Sequence, residues 1–69
     1  MLTGTVTEFD EGRGLGTITA DDGRIIPFQC TQIADGTRTV PVGAAVHFEV
    51  QPWHLGRYEA TVIRPRPGP

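Results

Sequence analysis

Lysine is absent from this chain of 69 residues, and all six of its basic residues are arginines. Against eight carboxylates they leave a formal charge of −2 and an isoelectric point near 5.5. No global attraction to phosphate follows from such a balance, so any affinity for nucleic acid has to come from a local arrangement of arginines. Cysteine is nearly absent as well. Cys30 alone closes no internal disulfide and has no second thiol for a metal site, which favours a reducing compartment. No apolar run approaches the roughly 18 residues of a spanning helix, and no charged and apolar leader resembles a signal peptide. The expected location is the cytoplasm, away from membrane.

The signatures of catalysis are missing too. There is no nucleophile elbow and no paired histidine and carboxylate motif, and the body is too small to enclose a small-molecule substrate. A metal site built from Cys30, His47 and His54 would need three separate strands or loops to converge, without the short spacings that mark zinc ligands. The expectation is a binding module, not an enzyme, with no cofactor and no metal.

What is present points to a small all-β domain, a closed or nearly closed antiparallel barrel or else an open five-stranded meander or sandwich. With 38% hydrophobic and 20% charged residues the chain is apolar enough to fold. Nine glycines and six prolines, scattered between short runs rich in Val, Ile and Thr, argue for many turns and against helices. Leu2 to Phe9 alternates Thr5, Thr7 and Phe9 against Gly4, Val6 and Glu8, a first strand with Val6 in the core. Asp10 to Arg13 supplies a turn, with Gly12 as the residue suited to a positive φ. A second strand follows to Ala20, with Gly14 and Gly16 baring one face and Leu15 and Thr17 on the other. Asp22-Gly23 turns into a third strand, Ile25 to Cys30, with Ile26 and Phe28 inward and Pro27 outward at an edge or bulge. Thr31 to Gly43 is a long connection with turns at Asp35-Gly36 and at Pro41 to Gly43, tied down by Ile33 and Val40. Strand four, Ala45 to Gln51, points Val46, Phe48 and Val50 inward. After a turn at Pro52 to Gly56, strand five runs from Arg57 to Ile63 with Ala60 and Val62 inward. The domain is expected over residues 1–65, followed by a proline-rich tail, 66–69, and the prolines from Pro65 onward are expected to end the sheet.

Gly4-Thr5-Val6, Arg13-Gly14-Leu15-Gly16-Thr17-Ile18, Asp21-Asp22-Gly23, Asp35-Gly36, Gly43 and Val46-His47-Phe48-Glu49-Val50 together resemble the cold-shock domain family over Leu2 to Pro65. The resemblance implies a five-stranded antiparallel OB-fold barrel that binds single-stranded RNA or DNA. It also implies where contacts lie. The family's lysine, tryptophan and phenylalanine at the end of strand one correspond to Thr7, Glu8 and Phe9. Its first ribonucleoprotein motif places a basic residue at Arg13 and stacking rings at Leu15 and Thr17. Its second places outward phenylalanines at Pro27 and Cys30 and a histidine at Gln29, and a loop aromatic corresponds to Thr37. Candidate nucleic-acid contacts are therefore Phe9, Arg13, Leu15, Thr17 and Gln29, on a platform that has lost most of its rings. Trp53, His54, Arg57 and Tyr58 form a second set of rings and charges near the last hairpin. The competing reading is a protein-interaction or self-associating module, possible partners being another protein or a second copy, on the same face with nucleic-acid binding lost.

Overall fold

In the computed structural model, which describes residues 2–34 and 36–66, five strands form one antiparallel sheet in the order β3-β2-β1-β4-β5. They are β1 (Leu2–Asp10), β2 (Leu15–Ala20), β3 (Ile25–Gln29), β4 (Ala45–Pro52) and β5 (Tyr58–Pro65). Single helical turns at Cys30–Gln32 and His54–Gly56 interrupt the connections. No helix among the described residues is long and apolar enough to cross a membrane. Val6, Ile18, Ile26, Phe28, Val46, Phe48 and Ala60 fill the core, and Ile33 and Val40 anchor the long connection to it. The all-β class and the five strands expected from the alternation are present.

Two bulges change which residues face inward. In β1, Val6 pairs with Ile18 but Glu8 pairs with Thr17, leaving Thr7 as an extra residue. The bulge falls where β1 parts from β4: the Val6 N–H donates to the Ala44 carbonyl at 3.0 Å, and the Val6 carbonyl accepts from the Gly43 N–H at 2.7 Å. One extra residue reverses side-chain parity for everything beyond it. Phe9, expected outward with Thr5 and Thr7, accordingly lies on the core side, paired with Gly16, and Glu8 turns outward. In β5, Val62 and Ile63 both oppose Phe48, between the pairs His47 with Arg64 and Glu49 with Thr61. Val62 takes the bulge conformation at φ +51° and is 40% exposed, so Ile63 enters the core in place of the expected Val62.

The first hairpin also differs in detail from its sequence reading. The Gly14 N–H closes the turn on the Asp10 carbonyl at 2.8 Å, and the left-handed residue is Gly14 at φ +68°, not Gly12. Gly16 is required for a different reason. A Cβ there would lie 2.6 Å from the Phe28 ring and 2.6 Å from the Glu8 carbonyl oxygen. Cys30 leaves β3 to open a helical turn, its N–H donating to the Gly14 carbonyl at 2.7 Å.

Three prolines sit within strands at the positions that tolerate them. Bonds from the Cys30 N–H to Gly14 and from the Ala20 N–H to Arg24 put the hydrogen-bonded pairs of β2 and β3 at even positions of β2. Pro27, opposite Thr17, falls between them, and its missing N–H faces the open edge. Bonds from the Trp53 N–H to Arg57 and from the Arg66 N–H to Ala45 place Pro52 and Pro65 in the same kind of site between β4 and β5. Arg64 and Pro65, expected beyond the end of strand five, thus continue it. Pro67 to Pro69 of the expected tail, and Asp35 of the expected loop turn, lie outside the described residues, whereas Gly36 has the positive φ of +77°.

The barrel is not strictly closed. β3 and β5, the two outer strands, run in the same direction, and the chain beyond β3 is tied to β5 by a parallel bridge, Ile33 with Ile63, reinforced by the Ala34 N–H on the Ile63 carbonyl at 2.8 Å. Toward Ile25 and Tyr58 the seam opens.

Two stability measurements test this account. Gly16→Ala forces a methyl into the Phe28 ring and the Glu8 backbone and is expected to remove about 1–3 kcal/mol in urea unfolding. Leu55 is 94% exposed yet held at φ +58°, so Leu55→Asn gives up no packing while easing a left-handed backbone. It is expected to raise stability by about 0.5–1 kcal/mol in the same assay.

Candidate functional site

Cα partners across a sheet share a face, so the outward positions of β1, β2 and β3 fall into rows. Thr5, Thr19 and Ile25 form one, Glu8, Thr17 and Pro27 the next, and Asp10, Leu15 and Gln29 the third. Three candidates read from the sequence, Leu15, Thr17 and Gln29, are thereby brought together, with Leu15 45% exposed. Thr17 also belongs to a cluster of hydroxyls: Thr7 Oγ1 is 3.3 Å from Thr17 Oγ1 and 3.2 Å from Thr19 Oγ1. These groups satisfy one another and give the middle of the face a neutral surface.

Phe9 belongs to the other side of the sheet. Its ring stacks on that of Phe28, centroids 5.9 Å apart and planes 3° from parallel, over the bare backbone of Gly16. What remains accessible of it joins Glu8, Asp10, Arg13 and Leu15 around a depression of about 290 Å3 at the end of the first hairpin. The Arg13 N–H donates to Asp10 Oδ1 at 3.2 Å, fixing the turn, while the Arg13 guanidinium has no ion-pair partner among the described residues. One guanidinium against two carboxylates leaves the depression net negative.

Of the second set, Arg57 and Tyr58 come together at the open β3–β5 seam, lining a groove of about 450 Å3 with Arg24, Ile25, Pro27 and Val50. Trp53 lines neither concavity, although its backbone N–H holds the last hairpin through the Arg57 carbonyl at 2.7 Å. The side chain of His54 lies outside the described part of the structure. Arg24, Ile25 and Val50 were not singled out from the sequence, because their meeting depends on how far the barrel closes. The one local signal was the adjacent pair Ile25-Ile26, of which alternation must turn one outward. No group of three or more His, Cys, Asp or Glu side chains suited to a metal ion occurs among the described residues.

No family model matches the chain, and no curated protein matches it. Among solved structures, Drosophila Unr CSD456 superposes on 96% of the chain with a TM-score of 0.78 at 24% sequence identity. The fold is that of a cold-shock domain. The chain spans about a quarter, 26%, of the Unr chain it matches. At this level of identity the likeness concerns the fold.

Set on this cold-shock fold, the family resemblance read from the sequence becomes spatial. Glu8, which the resemblance matches to the family's tryptophan, is turned outward by the bulge. Leu15, Thr17 and Pro27, which the resemblance matches to stacking rings, lie on the same face. Cys30, half-buried, turns its Sγ toward Gly14, where an added Cβ would lie 2.8 Å away.

The seam's second arginine is modulated by a neighbour. The Arg24 backbone N–H donates to Asp22 Oδ1 at 3.1 Å, and its guanidinium Nε donates to Oδ2 at 2.8 Å. The backbone bond first, then the guanidinium, hold the Asp22 carboxyl below the ordinary aspartate range. A depressed carboxylate pKa contributes stability that is present above the unfolded value of about 3.9 and lost as pH falls through the folded one. Carbon-detected NMR titration should therefore place the Asp22 midpoint below that of an unpaired aspartate.

Proposed function

We propose that this chain is a single-stranded nucleic-acid-binding module, without catalytic chemistry, that contacts RNA or DNA weakly through Phe9, Arg13, Leu15, Thr17 and Gln29. The observation that carries the reading is the cold-shock fold over 96% of the chain, on which Leu15, Thr17 and Gln29 share one face and Phe9 and Arg13 border it. Weakness follows from the chemistry of that face. Base stacking on a side-chain ring contributes about 1–3 kcal/mol. With Glu8, Leu15, Thr17 and Pro27 in place of rings, even the low end removes roughly 4 kcal/mol, or about three decades of affinity. Glu8 and Asp10 add repulsion toward phosphate beside the Arg13 guanidinium. Binding is thus expected in the range of non-specific complexes, with Kd on the order of 10−4 M.

A second reading has its own support. Leu15 and the 71% exposed Ile25 flank a neutral threonine cluster on the same face, a surface suited to a protein partner or a second copy of the chain. Salt separates the two, since phosphate contacts weaken as salt rises and apolar contacts hold or strengthen.

An NMR titration of labelled protein with oligothymidine and a mixed single-stranded RNA, at low and then moderate salt, tests the proposal. Salt-sensitive shifts on Arg13, Leu15, Thr17 and Gln29 are expected, and Arg13→Gln should lower the salt slope by about 1. Absence of shifts at millimolar oligonucleotide would remove the nucleic-acid reading.

A further inference from the structure

The seam between β3 and β5 holds a feature that the outer face lacks, an aromatic side chain on the core side of the sheet that nothing covers. Along β5 before its bulge, Tyr58 shares parity with the fully buried Ala60, yet Tyr58 is 57% exposed. Val50, on the core side of β4, pairs with Ala60 and is only half-buried. Both are uncovered because the barrel is pinned at Ile33 and Ile63 and opens from there toward Ile25 and Tyr58. The resulting groove, about 450 Å3, has apolar walls in Ile25, Pro27 and Val50, a ring in Tyr58, and a guanidinium on each side in Arg24 and Arg57. Arg24 is already paired with Asp22 at 2.8 Å, whereas Arg57 has no ion-pair partner among the described residues.

Pro27 decides what kind of chain the groove can accept. An extended peptide adding itself to the free edge of β3 needs the outward N–H groups of that edge, and at Pro27 the edge has none. A ligand that fills the gap by stacking, and carries its negative charge on a backbone that needs no strand ladder, meets no such obstacle. Pro27 also belongs to the outward row of Thr17, so the groove is continuous with the proposed binding face.

We infer that the open β3–β5 seam is a nucleotide subsite, in which one base of a single-stranded nucleic acid packs against Tyr58 between Pro27 and Val50 while the adjoining phosphates are met by Arg57 and, after exchange with Asp22, by Arg24. The inference rests on the nucleic-acid reading above and adds to it a second contact region. A strand crossing the β1–β3 face turns at Pro27 into the seam, and most of its aromatic stacking takes place there. Loss of the Tyr58 ring removes that stacking, whereas loss of the phenol hydroxyl does not.

The test is a titration of the whole chain with oligothymidine of six nucleotides at low salt, followed by amide shifts and by direct affinity, for the wild type, Tyr58→Ala, Tyr58→Phe, Arg57→Gln and Arg13→Gln. Tyr58→Ala is expected to weaken binding about tenfold and Tyr58→Phe to restore it. Arg57→Gln, an exposed change outside the core, should lower the salt slope by about 1 even if the alanine variant fails to fold. Wild-type shifts should include Ile25, Val50 and Tyr58. Binding that persists unchanged in the Arg57 and Tyr58 variants but weakens in Arg13→Gln overturns the seam and leaves the outer-face reading intact. No response of the wild type to any oligonucleotide overturns both, and seam shifts produced by an acidic peptide but not by oligothymidine identify a protein-docking groove instead.

Discussion

Two rings from strands that do not touch each other meet over a residue with no side chain. Phe9 of β1 and Phe28 of β3 are both paired with Gly16 of the intervening β2, and they stack because Gly16 leaves the space above it vacant. Strands lie about 4.8 Å apart, so two rings separated by a third strand reach each other only across such a gap. Several features depend on this contact. It requires the bulge at Thr7, without which Phe9 would point outward. The bulge in turn presents Glu8 to the outer face and places the Thr7 hydroxyl among those of Thr17 and Thr19. One packing arrangement inside the barrel therefore sets the charge and polarity of the surface outside it.

The prolines impose a second constraint. Pro27 and Pro65 lie on the two outer strands of the sheet, and each turns a position without an N–H toward the free side. Such positions offer no donor to a strand laid along the edge. Closure through a continuous β3–β5 ladder is limited by the same missing donor. The seam is held instead by Ile33, delivered to β5 by the helical turn after β3, and it gapes where that turn no longer helps.

The sequence made the interior legible almost throughout. The spacing of Val46 and Phe48, of Ile26 and Phe28, and of the turn glycines specifies strands whose inward residues had only one place to go. It failed at Phe9 and at Val62, for one physical reason. A bulge is a property of two strands in register, and nothing in either strand alone says that one residue will go unpaired. Gly12 and Gly14 show a finer limit: both fit a polar turn, and the choice was made by the hydrogen bond from Gly14 to Asp10 and by the proximity of Cys30 to Gly14. Leu15 and Thr17 lie outward as the alternation of β2 implied, because neither bulge inserts a residue into β2 or β3. The seam groove was not legible, since it joins residues distant in sequence, 24–27 with 50 and 57–58, through the degree to which the barrel closes.

Inward and outward residues of one strand answer to different requirements, and this separates fold from site. The inward rows are determined by volume, and a change in any of them moves a ring or a backbone. The outward rows bear no such load, so a cold-shock barrel is compatible with an outer face of threonine, leucine, proline and carboxylate. Charge then decides where a polyanion is drawn. At physiological salt the screening length is about 8 Å, so each guanidinium acts on its own neighbourhood and the net charge of the whole chain matters little. Arg66 lies 3.9 Å from Asp21 and Arg24 lies 2.8 Å from Asp22, so part of the positive charge is already met by carboxylates. Arg13 stands beside Glu8 and Asp10. Of the arginines bordering either concavity, Arg57 alone has neither an ion-pair partner among the described residues nor a carboxylate lining the same groove, and it sits next to Tyr58, a ring on the core side of β5 that the core leaves uncovered.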